Sequence, residues 1–232
     1  MKEIFDFFSN NSLGRRGERK IQQGDYEGAI QDLNQALSIN PNDALAYGNR
    51  GYARARLGEN RGAIEDYNQA LRLAPNAAAV YNNRGISREA LGDIVGAIKD
   101  YHQALHLAPS VPQVCFQLGL AYSKLKEYEK AIENFNQAIR LNPAYTSAYN
   151  FRGLARSRRQ DYTGAIEDYN QAIRLSPEYA KAYNFRGLAR VEIGDLRGAI
   201  EDLHKAAGLF FNQGFKSEHE QAIMHLRKLQ SQ

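Results

Sequence analysis

The chain has a single cysteine, Cys115, in 232 residues. That excludes a disulfide framework and leaves no Cys/Cys or Cys/His set for a structural zinc site. Long hydrophobic runs are also missing. Purely apolar stretches extend over only a few residues, far short of the roughly 18 that a membrane-spanning helix requires. Charge of one sign is scarce too, with a formal net charge of +4. Residues 1–111 carry 13 basic and 13 acidic side chains and residues 112–232 carry 17 and 13, so the whole excess lies in the second half. No concentrated basic stripe with interleaved aromatics is present, which argues against nucleic acid and leaves a modest preference for acidic groups on a partner. The opening Met1-Lys2-Glu3-Ile4-Phe5-Asp6-Phe7-Phe8 carries two acids where a signal peptide needs an apolar stretch. The expectation is a soluble, cytoplasmic protein. With 43% apolar and 24% charged residues, it has the composition of a globular chain and not of a disordered one.

Catalytic motifs are equally sparse. There is no phosphate-binding glycine loop and no Gly-x-Ser-x-Gly elbow. His219-Glu220 begins like a metalloprotease motif, but Ile223 stands where the second histidine is needed. His102 and His106 are one helical turn apart, a spacing that suits two metal ligands, yet no third ligand accompanies them. They are expected to be an exposed surface pair, with no metal site. Cys115 is expected to pack in the core rather than act as a nucleophile. No catalytic residue and no cofactor is expected, and the chain is not read as an enzyme.

What the chain does have is repetition. Ala29-Ile30, Ala63-Ile64, Ala97-Ile98, Ala131-Ile132, Ala165-Ile166 and Ala199-Ile200 recur every 34 residues. Glycine recurs in register from Gly17 to Gly187, a second alanine from Ala36 to Ala206, and prolines close five units at Pro41, Pro75, Pro109, Pro143 and Pro177. Such a period is the mark of a solenoid. Each unit reads as two helices, A and B, with Tyr47, Gly51 and Ala55 on one face of the second helix A and Ala63, Tyr67 and Ala70 on one face of its helix B. The turn between them is usually Gly-Asp, as at Gly24-Asp25, Gly92-Asp93 and Gly194-Asp195. Glycine can end helix A there and aspartate can cap helix B. The sixth proline, Pro112, falls in the first turn of a helix, where it is tolerated. Glycine on helix A facing alanine on helix B permits a close crossing. Leu33, Tyr67, Tyr101, Phe135, Tyr169 and Leu203 fill the adjoining space.

This pattern resembles the tetratricopeptide repeat family, whose 34-residue motif has Trp-Leu-Gly-Tyr on helix A and Ala-Phe-Ala-Pro on helix B. The tryptophan position here carries Tyr47, Tyr81, Cys115, Tyr149 and Tyr183, and the leucine and tyrosine positions often carry arginine. The Asn-Arg-Gly form (Asn49-Arg50-Gly51, Asn83-Arg84-Gly85) resembles arrays frequent in cyanobacterial-type proteins. The resemblance implies an all-α solenoid, a right-handed superhelix with helices A lining a concave groove. The expected organisation is an N-terminal segment 1–9 and six units at 10–43, 44–77, 78–111, 112–145, 146–179 and 180–213. A capping helix within 214–232 follows, with Ala222, Ile223, Leu226 and Leu229 as its apolar stripe.

Two questions stay open at the level of residues. The first concerns the arginine pairs Arg50/Arg54, Arg84/Arg88, Arg152/Arg156 and Arg186/Arg190. Buried guanidinium needs a partner, and Asp66, Asp100, Asp168 and Asp202 recur with the same period. A ladder of bridges between helices is one reading, and contact with an acidic ligand in the groove is the other. The second concerns the groove itself. By the resemblance, its ninth helix-A position supplies Tyr52, Ile86, Leu120, Leu154 and Leu188, and its fifth supplies Asn82, Phe116, Asn150 and Asn184. Arg56, Lys124, Arg158 and Lys181 lie on the rim, against Glu89 and Glu192. The apolar stripe either receives a partner or completes contacts between helices A. The asparagines either bond a peptide backbone or are solvated filler. Chaperone-binding members of the family hold a terminal carboxylate with a set of lysine, asparagine and arginine. Asn49 and Asn83 match its middle position, but Gly14, Glu18 and Ala79 stand where flanking members belong. The functional expectation is a non-catalytic scaffold that binds a peptide segment in its groove and serves complex assembly, which by resemblance includes photosystem assembly. The alternative is self-assembly, through Phe5, Phe7 and Phe8 of one copy in the groove of another or through end-to-end stacking.

Overall fold

Hydrophobic residues spaced at the helical period and interrupted by Gly-Asp or proline every half-unit leave little but helix pairs to form, and the structure consists of them. The computed structural model describes the backbone of residues 2–230 and the side chains of residues 12–230. Among the described residues there are thirteen helices and no strand. They are α1 (Lys2–Gln23), α2 (Tyr26–Ile39), α3 (Ala44–Arg56), α4 (Asn60–Leu73), α5 (Ala78–Ala90), α6 (Ile94–Leu107), α7 (Pro112–Lys124), α8 (Tyr128–Leu141), α9 (Thr146–Arg158), α10 (Tyr162–Leu175), α11 (Ala180–Glu192), α12 (Leu196–Asn212) and α13 (Lys216–Gln230). This is a tandem array of six helix pairs followed by a terminal helix. The reading of Phe5, Phe7 and Phe8 as a self-associating segment lies outside the described side chains, although α1 runs without a break across it.

The chain divides into two compact units, residues 1–117 and 118–232. In the first, α1 packs on α2, α3 on α4 and α5 on α6, and α1, α3 and α5 touch in succession. In the second, α9 packs on α10, α11 on α12 and α12 on α13, with α9 against α11. Within each unit the first helices of successive pairs therefore share one side, which sets residues 34 apart there on the same surface.

The crossing within a pair explains the glycine–aromatic pattern. A Cβ built on Gly85 would lie 2.6 Å from the Tyr101 ring, and one on Gly119 would lie 2.6 Å from Phe135. Tyr67, Tyr101, Phe135, Tyr169, Leu33 and Leu203 are all fully buried, as are Ala63, Ala97, Ala131, Ala165 and Ala199. The turns follow from capping. Asp25, Asp93, Asp161 and Asp195 accept from the amides of Gly28, Gly96, Gly164 and Gly198 at 2.9–3.0 Å. Each thereby satisfies one of the orphan donors of its helix. Ahead of these caps Gly24, Gly92 and Gly194 adopt positive φ, and Gln160 is forced to φ +65 at the equivalent place. Pro112 begins α7, and the other five prolines lie between helices.

Helix α12 is 17 residues long and continues through Phe211, where earlier units close with proline. Helix α13 then lies on α12 through Ala222 and Leu226, both buried. His219 fixes the junction, its Nδ1 being 2.9 Å from the Ala207 carbonyl oxygen.

Candidate functional site

Five aspartates on the second helices are buried: Asp32, Asp66, Asp100, Asp168 and Asp202. Each is held by two cations one turn apart on the preceding helix. Arg50 donates Nε (3.0 Å) and Nη2 (2.5 Å) to Asp66, and Arg54 Nη1 donates at 2.8 Å. Arg84 and Arg88 repeat this on Asp100, Arg152 and Arg156 on Asp168, and Arg186 and Arg190 on Asp202. The arginine pairs are thus spent on a ladder inside the repeat. The first pair joins it as Arg16 and Lys20 on Asp32, a member hidden in sequence by the lysine. These contacts hold the Asp32 carboxyl down to about 2, the Arg16 hydrogen bond being the largest cause. At Asp168 burial raises the carboxyl, while Arg152 and Arg156 pull the other way.

The ladder has two further members that periodicity alone did not reveal. The Nη1 of Arg50, Arg84, Arg152 and Arg186 donates to Asn34, Asn68, Asn136 and Asn170 on the preceding second helix at 2.6–2.7 Å. The same four guanidinium groups lie 5.3–5.5 Å from the ring centroids of Tyr47, Tyr81, Tyr149 and Tyr183, a cation–π distance. Each arginine therefore ties its own pair together and also ties it to the pair before. Helix α7 stands apart, with Cys115, Leu118 and Tyr122 in the places of the tyrosine and both arginines, and α8 has Asn134 in place of aspartate. A sequence signal accompanies it: Asn-Gln stands two residues after Asp32, Asp66 and Asp168, whereas histidine takes the asparagine register after Asp100 and Asp202, and His102 is the one ahead of Leu118.

With the arginines so engaged, the surface shared by the first helices is free to be shaped by smaller residues. Residues 1–117 contain a recess of ≈ 780 Å³. It is lined by small groups, among them Ala44, Gly48, Ala70, Ala74, Ala77 and Ala79, together with Tyr26, Leu45, Tyr52, Val80, Asn49, Asn83, Glu18 and Arg56. Arg56 is held in place by aromatic groups: its Nη1 donates to the Tyr52 hydroxyl at 3.0 Å, and its guanidinium carbon lies 4.8 Å from the Tyr26 centroid. Residues 118–232 contain a second recess of ≈ 240 Å³, lined by Leu154, Ser157, Arg158, Tyr162, Tyr169, Phe185, Leu188 and Glu192. Burial raises the Tyr169 phenol, which stays a neutral hydrogen-bonding group there, 3.4 Å from Ser157 Oγ.

Of the residues expected in the groove, Tyr52 and Arg56 line the first recess and Leu154, Arg158 and Leu188 the second. Ile86 is exposed, Leu120 and Phe116 are half-buried, and Lys124 and Lys181 are exposed, all outside the two recesses. The fifth-position asparagines differ from one another in exposure. Asn150 has 0% exposure, so its amide does not reach a surface where a peptide backbone could meet it. Asn82 and Asn184 are half-buried, each with a carbonyl oxygen that has no hydrogen-bond partner, and none of the three lines either recess. Lining residues outside the expected set include Gly48, at the fifth position of α3, and Ala70, Ala74 and Ala77, from outside the first helices. Among the described residues no cluster of three metal-ligating side chains occurs, and no helix is long and apolar enough to cross a membrane. His102 and His106 are exposed and Cys115 is buried.

A tandem array of helix pairs with glycine–aromatic crossings, a repeated turn and concave recesses between first helices defines a helical-repeat protein of the interaction-scaffold class. Models of the TPR repeat match residues 17–58, 54–92 and 153–194, and the tetratricopeptide repeat model matches 112–145. The chain belongs to the tetratricopeptide repeat family. Among solved structures it is similar to MamA 41-end from Desulfovibrio magneticus RS-1, at 26% identity and a TM-score of 0.69, covering 73% of this chain and 96% of that one. It is similar in fold to Pseudomonas aeruginosa PilF (22% identity, TM-score 0.76, 92% of this chain and 99% of that one). YrrB, described as a TPR protein with an unusual peptide-binding site, shares the fold at 22% identity and a TM-score of 0.69, covering 84% of this chain and 97% of that one. Curated protein sequences yield no match.

Proposed function

We propose that this protein is a non-catalytic scaffold that binds a peptide segment of a partner protein on the surface shared by its first helices, and so serves complex assembly. The observation that carries this is the ≈ 780 Å³ recess lined by glycine, alanines, two tyrosines and one oriented guanidinium. A side chain of a partner entering it loses apolar surface to water at about 25 cal/mol per Å². Arg56, already stacked and hydrogen-bonded, gives up little rotamer freedom on meeting an acidic group. The second recess offers the same chemistry with Leu154, Leu188 and Arg158. Ile86, Phe116, Leu120, Asn82, Asn184 and the cations Lys124 and Lys181 are our candidates for lesser contacts. Rim charge sets orientation and preference more than affinity. Our division into six units, 10–43 to 180–213, with 214–232 as the cap, is the frame for this reading.

A displayed random-peptide library tests it. Peptides rich in a bulky apolar residue next to an acid should enrich on the wild type and be lost on Tyr52→Glu and Leu188→Glu variants of unchanged helicity. Equal enrichment on all three proteins would move the site away from these recesses.

A further inference from the structure

Helix α13 carries apolar side chains on two sides. Its inner side is spent on α12 through Ala222 and Leu226. Its outer side presents Met224 at 59% exposure beside half-buried Ile223, and next to them Phe211 is 71% and Phe215 48% exposed. The Phe211 ring lies 5.5 Å from His219. A shallow cavity of ≈ 430 Å³ runs along the same face, lined by His219, Glu220, Ile223, Met224 and Arg227. A contiguous apolar surface of this kind marks an interaction site.

The charges on that face identify the occupant. Glu220 and Arg227 lie seven residues apart, two turns along one stripe, about 10 Å at 1.5 Å per residue. Ile223 and Met224 lie at the midpoint. A helix of this pattern is its own complement: set antiparallel against a second copy, it brings Glu220 opposite Arg227 in both directions and places Ile223 and Met224 on the axis. That is the requirement of an isologous two-fold interface, in which the same patch serves on both subunits. The His219 bond to Ala207 fixes α13 on its support, so the patch is presented as a rigid surface. We propose that α13 is a homodimerisation face, in which two copies of this chain pair antiparallel through Ile223 and Met224, clamped by reciprocal Glu220–Arg227 bridges, with Phe211 and Phe215 covered at the edges. The recess of residues 118–232 shares no lining residue with this face, so a dimer would display that proposed peptide site twice. The pairing itself does not rest on that function.

A charge-swap cycle on the full chain tests this, since Glu220 and Arg227 are exposed and their replacement leaves the fold intact. Sedimentation equilibrium over a concentration series should give a dimer mass for the wild type. Glu220→Arg alone and Arg227→Glu alone each set like charges opposite one another and should weaken the dimer by about tenfold or more. The double variant Glu220→Arg/Arg227→Glu restores the complement and should recover most of that loss. A wild type that stays monomeric throughout overturns the proposal. So does a mass that grows without limit with concentration, the sign of head-to-tail stacking. A dimer insensitive to both single variants, or singly weakened without recovery in the double, overturns it as well.

Discussion

Replacing Asp168 with asparagine removes one carboxylate charge from the centre of the ladder with almost no change of shape. Asp168 is 2% exposed and accepts from Arg152 Nε at 3.0 Å, Arg152 Nη2 at 2.5 Å and Arg156 Nη1 at 3.0 Å. The amide keeps one acceptor oxygen, but its NH2 group turns a donor toward a guanidinium that also only donates. Two arginines, with side chains 16% and 25% exposed, lose their counter-charge. Removing one partner of a buried pair costs about 3–5 kcal/mol. Arg152 retains Asn136 and the Tyr149 ring, and Arg156 retains the Gly164 carbonyl, so a loss of about 2–4 kcal/mol is expected here. For a chain of this length that corresponds to a fall in Tm of about 5–15 °C, followed by circular dichroism. Because each repeat contacts only its neighbours, amide exchange should accelerate in α9 and α10 before α2 and α3. The chain also supplies the control: α7 and α8 carry Leu118, Tyr122 and Asn134 at this register. The triple variant Arg152→Leu/Arg156→Tyr/Asp168→Asn, which copies them, should recover much of the loss, since an apolar set can replace a buried ionic one. A change in Tm below about 2 °C for Asp168→Asn would refute the reasoning.

Four further outcomes are expected. Gly85→Ala places a Cβ 2.6 Å from the Tyr101 ring and should cost about 1–3 kcal/mol in denaturant unfolding. Gly208→Ala, in α12 with no atom within 4 Å of its Cβ, should instead stabilise by about 0.5–1 kcal/mol. Gln160→Gly relieves a side chain held at φ +65 and should raise stability by up to about 1 kcal/mol, read from the same denaturant midpoint. The Asp32 carboxyl lies at about 2 in the folded chain, below its unfolded value of about 4. The unfolded chain therefore takes up the proton first, and the contribution of Asp32 is full above pH about 4 and is lost as pH falls toward about 2. The melting difference between wild type and Asp32→Asn should narrow across that window. An unchanged difference would place the charge of Asp32 elsewhere in the balance.

The helices, their crossings and the arginine–aspartate ladder were legible in sequence because each depends on a relation repeated every 34 residues. The Gly85–Tyr101 crossing and the Asp66 bridges need only that the helical period hold. What escaped depends on a residue departing from its repeat or on depth. Lys20 hid the first rung, although Arg16 and Asp32 stand in register with Arg50 and Asp66. Gln160 adopts the left-handed conformation that glycine holds at Gly92, because the Asp161 cap and the turn geometry outweigh its strain. The fifth-position asparagines share a register but not an environment, and Asn150 is sealed while Asn82 and Asn184 are half-open. The recess is lined by Gly48 and alanines from several segments, and no one-dimensional pattern shows which small residues converge.

The central claim, that a partner segment binds on the surface of the first helices, is tested most directly by amide chemical-shift mapping of the full chain with a peptide selected on the wild type. The account predicts that the largest perturbations fall on α3 from Gly48 to Arg56 and around Leu154, Arg158 and Leu188. Shifts confined to the second helices, such as α4 and α10, or to α13, would contradict it.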